Sequence, residues 1–475
     1  MNNKNYTRAF AILVSVFFFW GFVAASNDIL IPVFKEKLDL TQAQSQMIAF
    51  VFYVAYTVGS LLYLGVSRIM GIDPIVKYGY GKGIAAGLGL SALGTLLFIP
   101  AANSASFPML LGGLMVVGLG FSLQQTAANP LAIALGPAST GSQRLSLAGA
   151  INNVGTTVGP LLVSYAIFGP MTGSETDRIL DVSDVKLPYL ALGALFLLFA
   201  FVFWNLKVET ESAGASEASS SDKKALSYPQ LWMGMIAIFV YVGVEVSTAS
   251  NLPELMKQEV GLETKNIAPY ISLFWASLMI GRWTSASGAL GLSGFKREAL
   301  RFVLPLAAFG LFLTVNSKMG HDVSSFYSYL SVVALLVIAD FLSKGNPSRQ
   351  LLLYSLLGIG ALVYGMTASG MSSVMAFVSV GLFCSTLWPC IFTLAITGLG
   401  SQTSQGANLL VMMIMGGGFV SVAQGLLASP DSLGIKNSYW VGVICFAYLA
   451  FYAWRVGKMF KEQGLEVSAV EGGGH

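Results

Sequence analysis

The chain has 475 residues, 55% of them hydrophobic and only 10% charged, with a mean hydropathy of +0.70. A soluble protein of this length needs far more charge to cover its surface, so the composition excludes an ordinary soluble fold and predicts an all-α polytopic membrane protein. The net charge of +3 offers no basic field for nucleic acid.

Apolar stretches of about 20 residues, enough to cross ~30 Å of hydrocarbon as helix, recur along the sequence. The first, 9–34, is too long for a signal-peptide core and lacks a convincing small-residue cleavage site. Further spans are expected at 44–66, 83–102, 107–135, 145–168 and 187–206, closing a six-helix half over 1–206. Residues 207–228, within "LKVETESAGASEASSSDKKALSY", read as a flexible cytoplasmic linker. Spans at 229–252, 268–290, 298–316, 324–342, 349–368, 372–396, 406–428 and 437–457 follow, 14 in all, with a cytoplasmic tail over 458–475. Of the 26 Lys and Arg residues, 18 fall on the side of the termini and 8 on the other, so both termini are expected in the cytoplasm.

Inside the first span, "SNDILIP" carries Asp28 with Pro32 four residues on. A carboxylate at a helix centre costs roughly 2.5–3.5 kcal/mol on insertion scales, so Asp28 is expected to face protein or a cavity. It shares a small-residue face with Gly21, Ala24 and Pro32. Pro32 has no N–H, so the Asp28 carbonyl loses its usual helical donor. Carboxylate and freed carbonyl together suit a proton, a cation or a hydroxyl. The alternative is a packing role, with Asp28 held by neighbours such as Asn27 or Asn152.

Span four holds Gln124, Gln125 and Asn129, and span five holds Asn152 and Asn153. Amides donate and accept as a sugar's hydroxyls require, and each alone serves equally as interhelical glue. Glycine patterns such as "GYGKGIAAGLGLSALG" have no strand before them and read as close helix packing, not a phosphate loop. Beyond the linker, Glu245 lies on a polar stripe with Tyr241 and Thr248, with a functional and a structural role both open. Trp275 and Trp388 offer flat faces to a pyranose ring or simply pack in core or lipid. Asp340 lies near a span end, where it is expected to reach water, and Asn408 adds an amide late in the chain. Cys384, Cys390 and Cys445 read as small hydrophobes, and His321 and His475 form no metal-binding constellation, so no cofactor, metal or enzyme chemistry is expected.

The halves echo each other. "AASNDILIP" in span one is answered by "TASNLPEL", and "NPLAIALGPASTGSQ" in span four by "WPCIFTLAITGLGSQ". The echoes fall on equivalent spans once 298–342 is set aside as an inserted transmembrane hairpin, leaving six spans plus six. Duplicated six-helix halves around a central cavity describe a secondary transporter. The hairpin's role stays open between a packing shield, a dimer contact and a lipid-facing addition.

At "NDILIP", "QTAANPLAIALGP", "RLSLAGAINNVGTTVGP" and "GLGSQTSQGANLLVMMIMGGG" the chain resembles the fucose:proton symporter and glucose/galactose transporter family of the major facilitator superfamily. The resemblance implies the major facilitator fold and cation-coupled import of a monosaccharide, a hexose of glucose/galactose type, by alternating access. It also implies a monomer in the lipid bilayer of the bacterial inner membrane. In fucose symporters the Asp of "NDIL" is a principal proton-linked residue, which carries over to Asp28. Their second carboxylate, in "LETAANP", stands here as Gln125 in "QQTAANP", which cannot titrate and resembles the glucose/galactose branch. Glu245, in "YVGVEVS", then supplies the second ion-linked or sugar-binding acid. A sugar-contacting glutamine of relatives is replaced by Gly149, with Asn152 one turn further on. The expected sugar-binding set is Asn27, Gln124, Gln125, Asn129, Asn152, Asn153, Tyr241, Trp275, Trp388 and Asn408. The coupling ion is a proton or sodium, with protons favoured slightly. An exporter of drugs or other small metabolites on the same fold is the rival reading.

Overall fold

The computed structural model describes residues 3–71, 74–104, 106–135, 141–168, 186–206, 225–286, 295–399 and 403–463, and every regular element among them is a helix. The first half comprises α1 (Asn3–Lys37), α2 (Gln42–Met70), short α3 (Pro74–Tyr78), α4 (Tyr80–Leu96), α5 (Phe98–Asn103), α6 (Phe107–Ala134), α7 (Gly141–Phe168) and α8 (Lys186–Asn205). The second opens with α9 (Pro229–Val260), α10 (Ala268–Ala286), α11 (Phe295–Lys318), α12 (Leu330–Ser343) and α13 (Pro347–Thr367). It closes with α14 (Gly370–Cys384), α15 (Leu387–Ile396), α16 (Thr403–Met412), α17 (Gly416–Leu427), short α18 (Gly434–Asn437) and α19 (Trp440–Glu462). Most of the expected linker and tail, 207–224 and 464–475, lies outside the described residues, and α19 runs past the boundary expected at 457.

Local chemistry sets the helix ends. The Thr41 hydroxyl accepts from the Gln44 N–H, and the Gln44 side chain accepts from the Thr41 N–H at 2.9 Å, a reciprocal cap that starts α2. Gly71, at φ 65°, ends the same helix in the left-handed conformation that glycine adopts without strain. Among the described residues, twelve helical stretches are long and apolar enough to cross a membrane, against the fourteen spans expected. Neither α7 nor α10 is among the twelve. α7 carries Asn152, Asn153, Thr156 and Thr157 within two turns, which lowers its hydropathy while leaving it helical.

Helix pairing repeats between the halves. α1 packs on α7, both α2 and α4 on α6, and α4 on α8. Correspondingly, α9 packs on α17, both α10 and α13 on α14, and α13 on α19. α11 leans on α10, and α12 on α13 and α14, without counterparts in the first half. Within a half, backbones nearly touch. A Cβ at Gly21 would lie 2.1 Å from the Asn152 carbonyl oxygen, and one at Gly155 would lie 2.2 Å from that of Phe18. Only glycine permits α1 and α7 to approach so closely.

Between the halves, α2 packs on α17, α7 on α10, and α1 on α9. Polar contacts gather at the end of the bundle away from the termini. Lys35 pairs with Glu254 at 2.5 Å and Lys257 with Glu36 at 3.2 Å, while Thr264 donates to Glu36 at 3.2 Å. Gln42 donates to the Asn251 side chain at 2.8 Å, and Gln46 to the Ser250 carbonyl at 3.2 Å. Burial raises the Glu36 pKa, but the hydrogen bond and charge of Lys257 and the Thr264 hydroxyl outweigh it and hold the carboxyl below its ordinary value. A carboxylate with a depressed pKa stabilises the joined state above its ordinary range and loses that contribution only as pH falls through the lowered value. Closure at this end through Glu36 is therefore expected to be unchanged between about pH 6 and 8, measured by reaction of a cysteine placed at Ser250 with a membrane-impermeant thiol reagent. A steep change in that window would assign the contact to a different titrating group.

Asp340 departs from expectation. It is 4% exposed, and Arg301 of α11 donates to Oδ2 through Nη2 at 2.6 Å and Nε at 3.0 Å. Gln350 of α13 donates to Oδ1 at 3.3 Å. The carboxylate sits on the inner side of α12, where α11 and α13 enclose it, so it meets a guanidinium instead of water. Removing one partner of a buried ion pair strands the other charge, so Arg301→Met should lower stability by about 3–5 kcal/mol. Adding Asp340→Leu should return most of that loss in thermal unfolding of the detergent-solubilised protein. An unchanged midpoint for Arg301→Met would mean that the pair is hydrated.

Candidate functional site

α14 and α15 form one apolar run that breaks at Ser385–Thr386. The cause lies four residues on. Pro389 has no N–H, so the Ser385 carbonyl has no helical donor. Arg282 of α10 supplies one, its Nε donating to the Ser385 oxygen at 3.2 Å. Through Nη1 the same guanidinium donates to Asn153 Oδ1 at 2.9 Å, crossing from the second half to α7 in the first. A guanidinium has no acceptor, so the amide oxygen must be the atom that faces it. Asn153 is 2% exposed, and its Nδ2 has no hydrogen-bond partner among the described residues. The buried hydroxyls of Ser385 and Thr386 are likewise without partners.

On α9, one turn apart, the Tyr241 hydroxyl donates to the Glu245 carboxylate. Arg282 makes its hydrogen bonds to Ser385 and Asn153. The Trp388 ring lies 6.3 Å from that of Tyr241, centroid to centroid. Trp275 precedes Arg282 by two helical turns on the same face and is 5% exposed, edge-on to Phe274. Asn153, Tyr241, Glu245 and Trp388 are thus gathered around Arg282, roughly midway along the helices where the halves meet.

Other expected site residues go elsewhere. Gln124 is fully buried inside the first half, accepting from the Trp20 indole at 3.0 Å and donating to Ser91 at 3.0 Å. Asn152 donates to the Phe17 carbonyl at 2.8 Å and ties α7 to α1. Gln125 and Asn129 are half-buried, one turn apart on α6. The side chains of Asn27, Asp28 and Asn408 lie outside the described residues; their backbones belong to α1 and α16. An apolar cleft of about 320 Å³ between α1, α7 and α8, walled by Phe18, Phe22, Leu162 and Leu195, shares no residue with the polar cluster.

The sequence reading overlooked Arg282 and Ser385. Two signals pointed to them: an arginine inside the apolar run "LMIGRW", and a Ser385–Pro389 spacing equal to that of Asp28 and Pro32. If Gln124 is spent on packing, Gln124→Leu strands the Trp20 N–H and should lower stability by about 1–3 kcal/mol. Combined with Trp20→Phe, the loss should fall short of the sum of the single variants in a double-mutant cycle of thermal unfolding. An unchanged midpoint for Gln124→Leu would free the amide for another role.

Residues 9–317 match the family model described as Major Facilitator Superfamily. The chain is 34% identical over 456 residues to a glucose/galactose transporter of Brucella abortus, covering 95% of this chain and 94% of that one. It is 27% identical to the L-fucose-proton symporter of Escherichia coli, covering 95% and 93%. Among solved structures, the major facilitator transporter FucP in its outward conformation aligns with a TM-score of 0.60 at 26% identity, covering 95% of this chain and 99% of that one. A bacterial homologue of the human lysosomal transporter Spinster shares the fold, with a TM-score of 0.63 at 11% identity over 96% and 97% of the two chains. The chain is a multi-pass membrane transporter that belongs to the major facilitator superfamily, in the group that holds the glucose/galactose transporters and L-fucose-proton symporters.

Proposed function

We propose that this transporter imports a monosaccharide, a hexose of glucose/galactose type, in symport with a cation. The observation that carries the reading is the cluster of hydrogen-bonding groups shared between the halves around Arg282 and Asn153. The names of the relatives supply the substrate class. The protein lies in the bacterial inner membrane as a monomer with cytoplasmic termini, and the end closed by Glu36–Lys257 and Lys35–Glu254 faces outward. α11 and α12 form an additional transmembrane hairpin, which brings the spans to fourteen.

Asp28 is the coupling carboxylate. Charged and open to the outside, it recruits a proton, in preference to sodium. Neutralising it lowers the cost of carrying the site through an occluded state of low dielectric. Sugar hydroxyls then bridge groups from both halves, including Asn129 and Gln125 on α6 and Asn153 on α7. Trp388 lies under the apolar face of the ring. Cation and sugar each bind better in the presence of the other, as reciprocal coupling requires. Glu245 is the second acid, linked to the ion or to the sugar.

Proteoliposomes given an imposed pH gradient, then a sodium gradient, are expected to accumulate radiolabelled galactose or glucose under the first. Asp28→Asn should abolish accumulation while sugar exchange at equilibrium continues within several-fold of the wild-type rate. Accumulation by Asp28→Asn at normal reconstitution would remove Asp28 from coupling. If glucose, galactose and fucose all stay outside under both gradients, the sugar reading fails.

A further inference from the structure

We propose that Arg282 and Asn153 together read a vicinal diol of the substrate, which takes the place of their direct bond. The proposal rests on the sugar-transport reading and adds to it a residue pair and a specificity.

Arg282 belongs to the second half and Asn153 to the first, so any rocking of one half against the other works on their 2.9 Å bond. When it breaks, a guanidinium N–H and an amide oxygen are both left in a water-poor interior, where each unmet group costs about 1–3 kcal/mol. The neighbourhood is already short of partners. Asn153 Nδ2 has none among the described residues, and the hydroxyls of Ser385 and Thr386, on either side of the helix break, have none either. Donors and acceptors of this kind, held at the boundary of two moving bodies, call for a ligand rich in hydroxyls.

Two adjacent hydroxyls fit the chemistry. One accepts from the guanidinium and donates to Asn153 Oδ1. Its neighbour accepts from Asn153 Nδ2 and donates to the Ser385 or Thr386 hydroxyl. Every group that the broken bond leaves behind then has a partner, and the diol joins the halves as the direct bond did. The planar fork of Arg282 suits this role. It keeps one N–H on the Ser385 carbonyl, which Pro389 leaves without a helical donor, and still presents others to a ligand.

The test is galactose uptake into proteoliposomes, compared with competition by each of its monodeoxy analogues, for the wild type, Arg282→Gln and Asn153→Ala. In the wild type, removing a hydroxyl that meets Arg282 should weaken competition about tenfold or more, as loss of a charge-assisted hydrogen bond does. In Arg282→Gln that particular penalty should vanish while penalties at the other positions remain, and Asn153→Ala should erase the same one or its neighbour. Arg282→Lys should restore it in part. A purely structural Arg282 would lower uptake without altering the pattern of penalties, and an unaltered pattern overturns the proposal. Should Arg282→Gln fail to reconstitute, the pattern in Asn153→Ala decides alone. A wild type that takes up no sugar would instead sink the functional reading, which separates the two failures.

Discussion

Within a bilayer a polar group has no bulk water to return to, and the way this chain meets that constraint accounts for most of its internal architecture. Pro389 removes a donor from the Ser385 carbonyl, and an arginine from another helix supplies one. Asp340 is buried, and a guanidinium and an amide converge on it from two neighbouring helices. Glu245 has a tyrosine one turn away that donates to it. In each case the group that is costly to bury is met by a specific partner, and for Ser385 and Asp340 that partner comes from another helix. The same residues that threaten stability thus help to define the packing.

Contacts within a half and contacts between halves share close packing at glycines but differ in how many charged groups take part. Inside the first half, α1 and α7 approach until glycine is the only residue that fits, and dispersion across nearly touching backbones holds them. Such packing has one geometry and resists sliding. Between the halves α2 and α17 also meet closely, a Cβ at Gly418 lying 2.7 Å from the Phe50 Cα, and hydrogen bonds and ion pairs add to that packing at the far end through Glu36 and Glu254 and midway through Arg282. Polar ties of this kind can exchange one partner for another, such as a ligand. Rigid halves whose polar links can change partners suit rigid-body rocking between two states, with the α2–α17 packing as a contact that such rocking must release.

Adjacent amides show how finely this division runs. Asn152 bonds to α1 in its own half, whereas Asn153, the next residue along, bonds to the other half. Gln124 is closed within the first half, and Gln125 beside it is half-buried. A step of one residue turns a side chain by about 100° around a helix, so neighbours in sequence serve different surfaces. From the sequence, all four amides looked equivalent. Arg282 is as costly to bury as a carboxylate, and its place where the halves meet follows only from a contact with a residue 129 positions away.

The helical membrane character, the repeated pairing of helices in two halves and the identity of the polar residues inside the spans were readable from the sequence, because length, hydropathy and short motifs are local properties. The choice of partner was not. Arg282 and Asn153 lie 129 residues apart, Trp20 and Gln124 lie 104 apart, and Arg301 finds Asp340 only because α11 folds back alongside α12. Periodicity tells which face of a helix a side chain occupies, but not which helix comes to lie against that face. Tertiary structure alone decided that Gln124 and Asn152 bind their own half, that Asp340 meets an arginine instead of water, and that Arg282 joins the two halves.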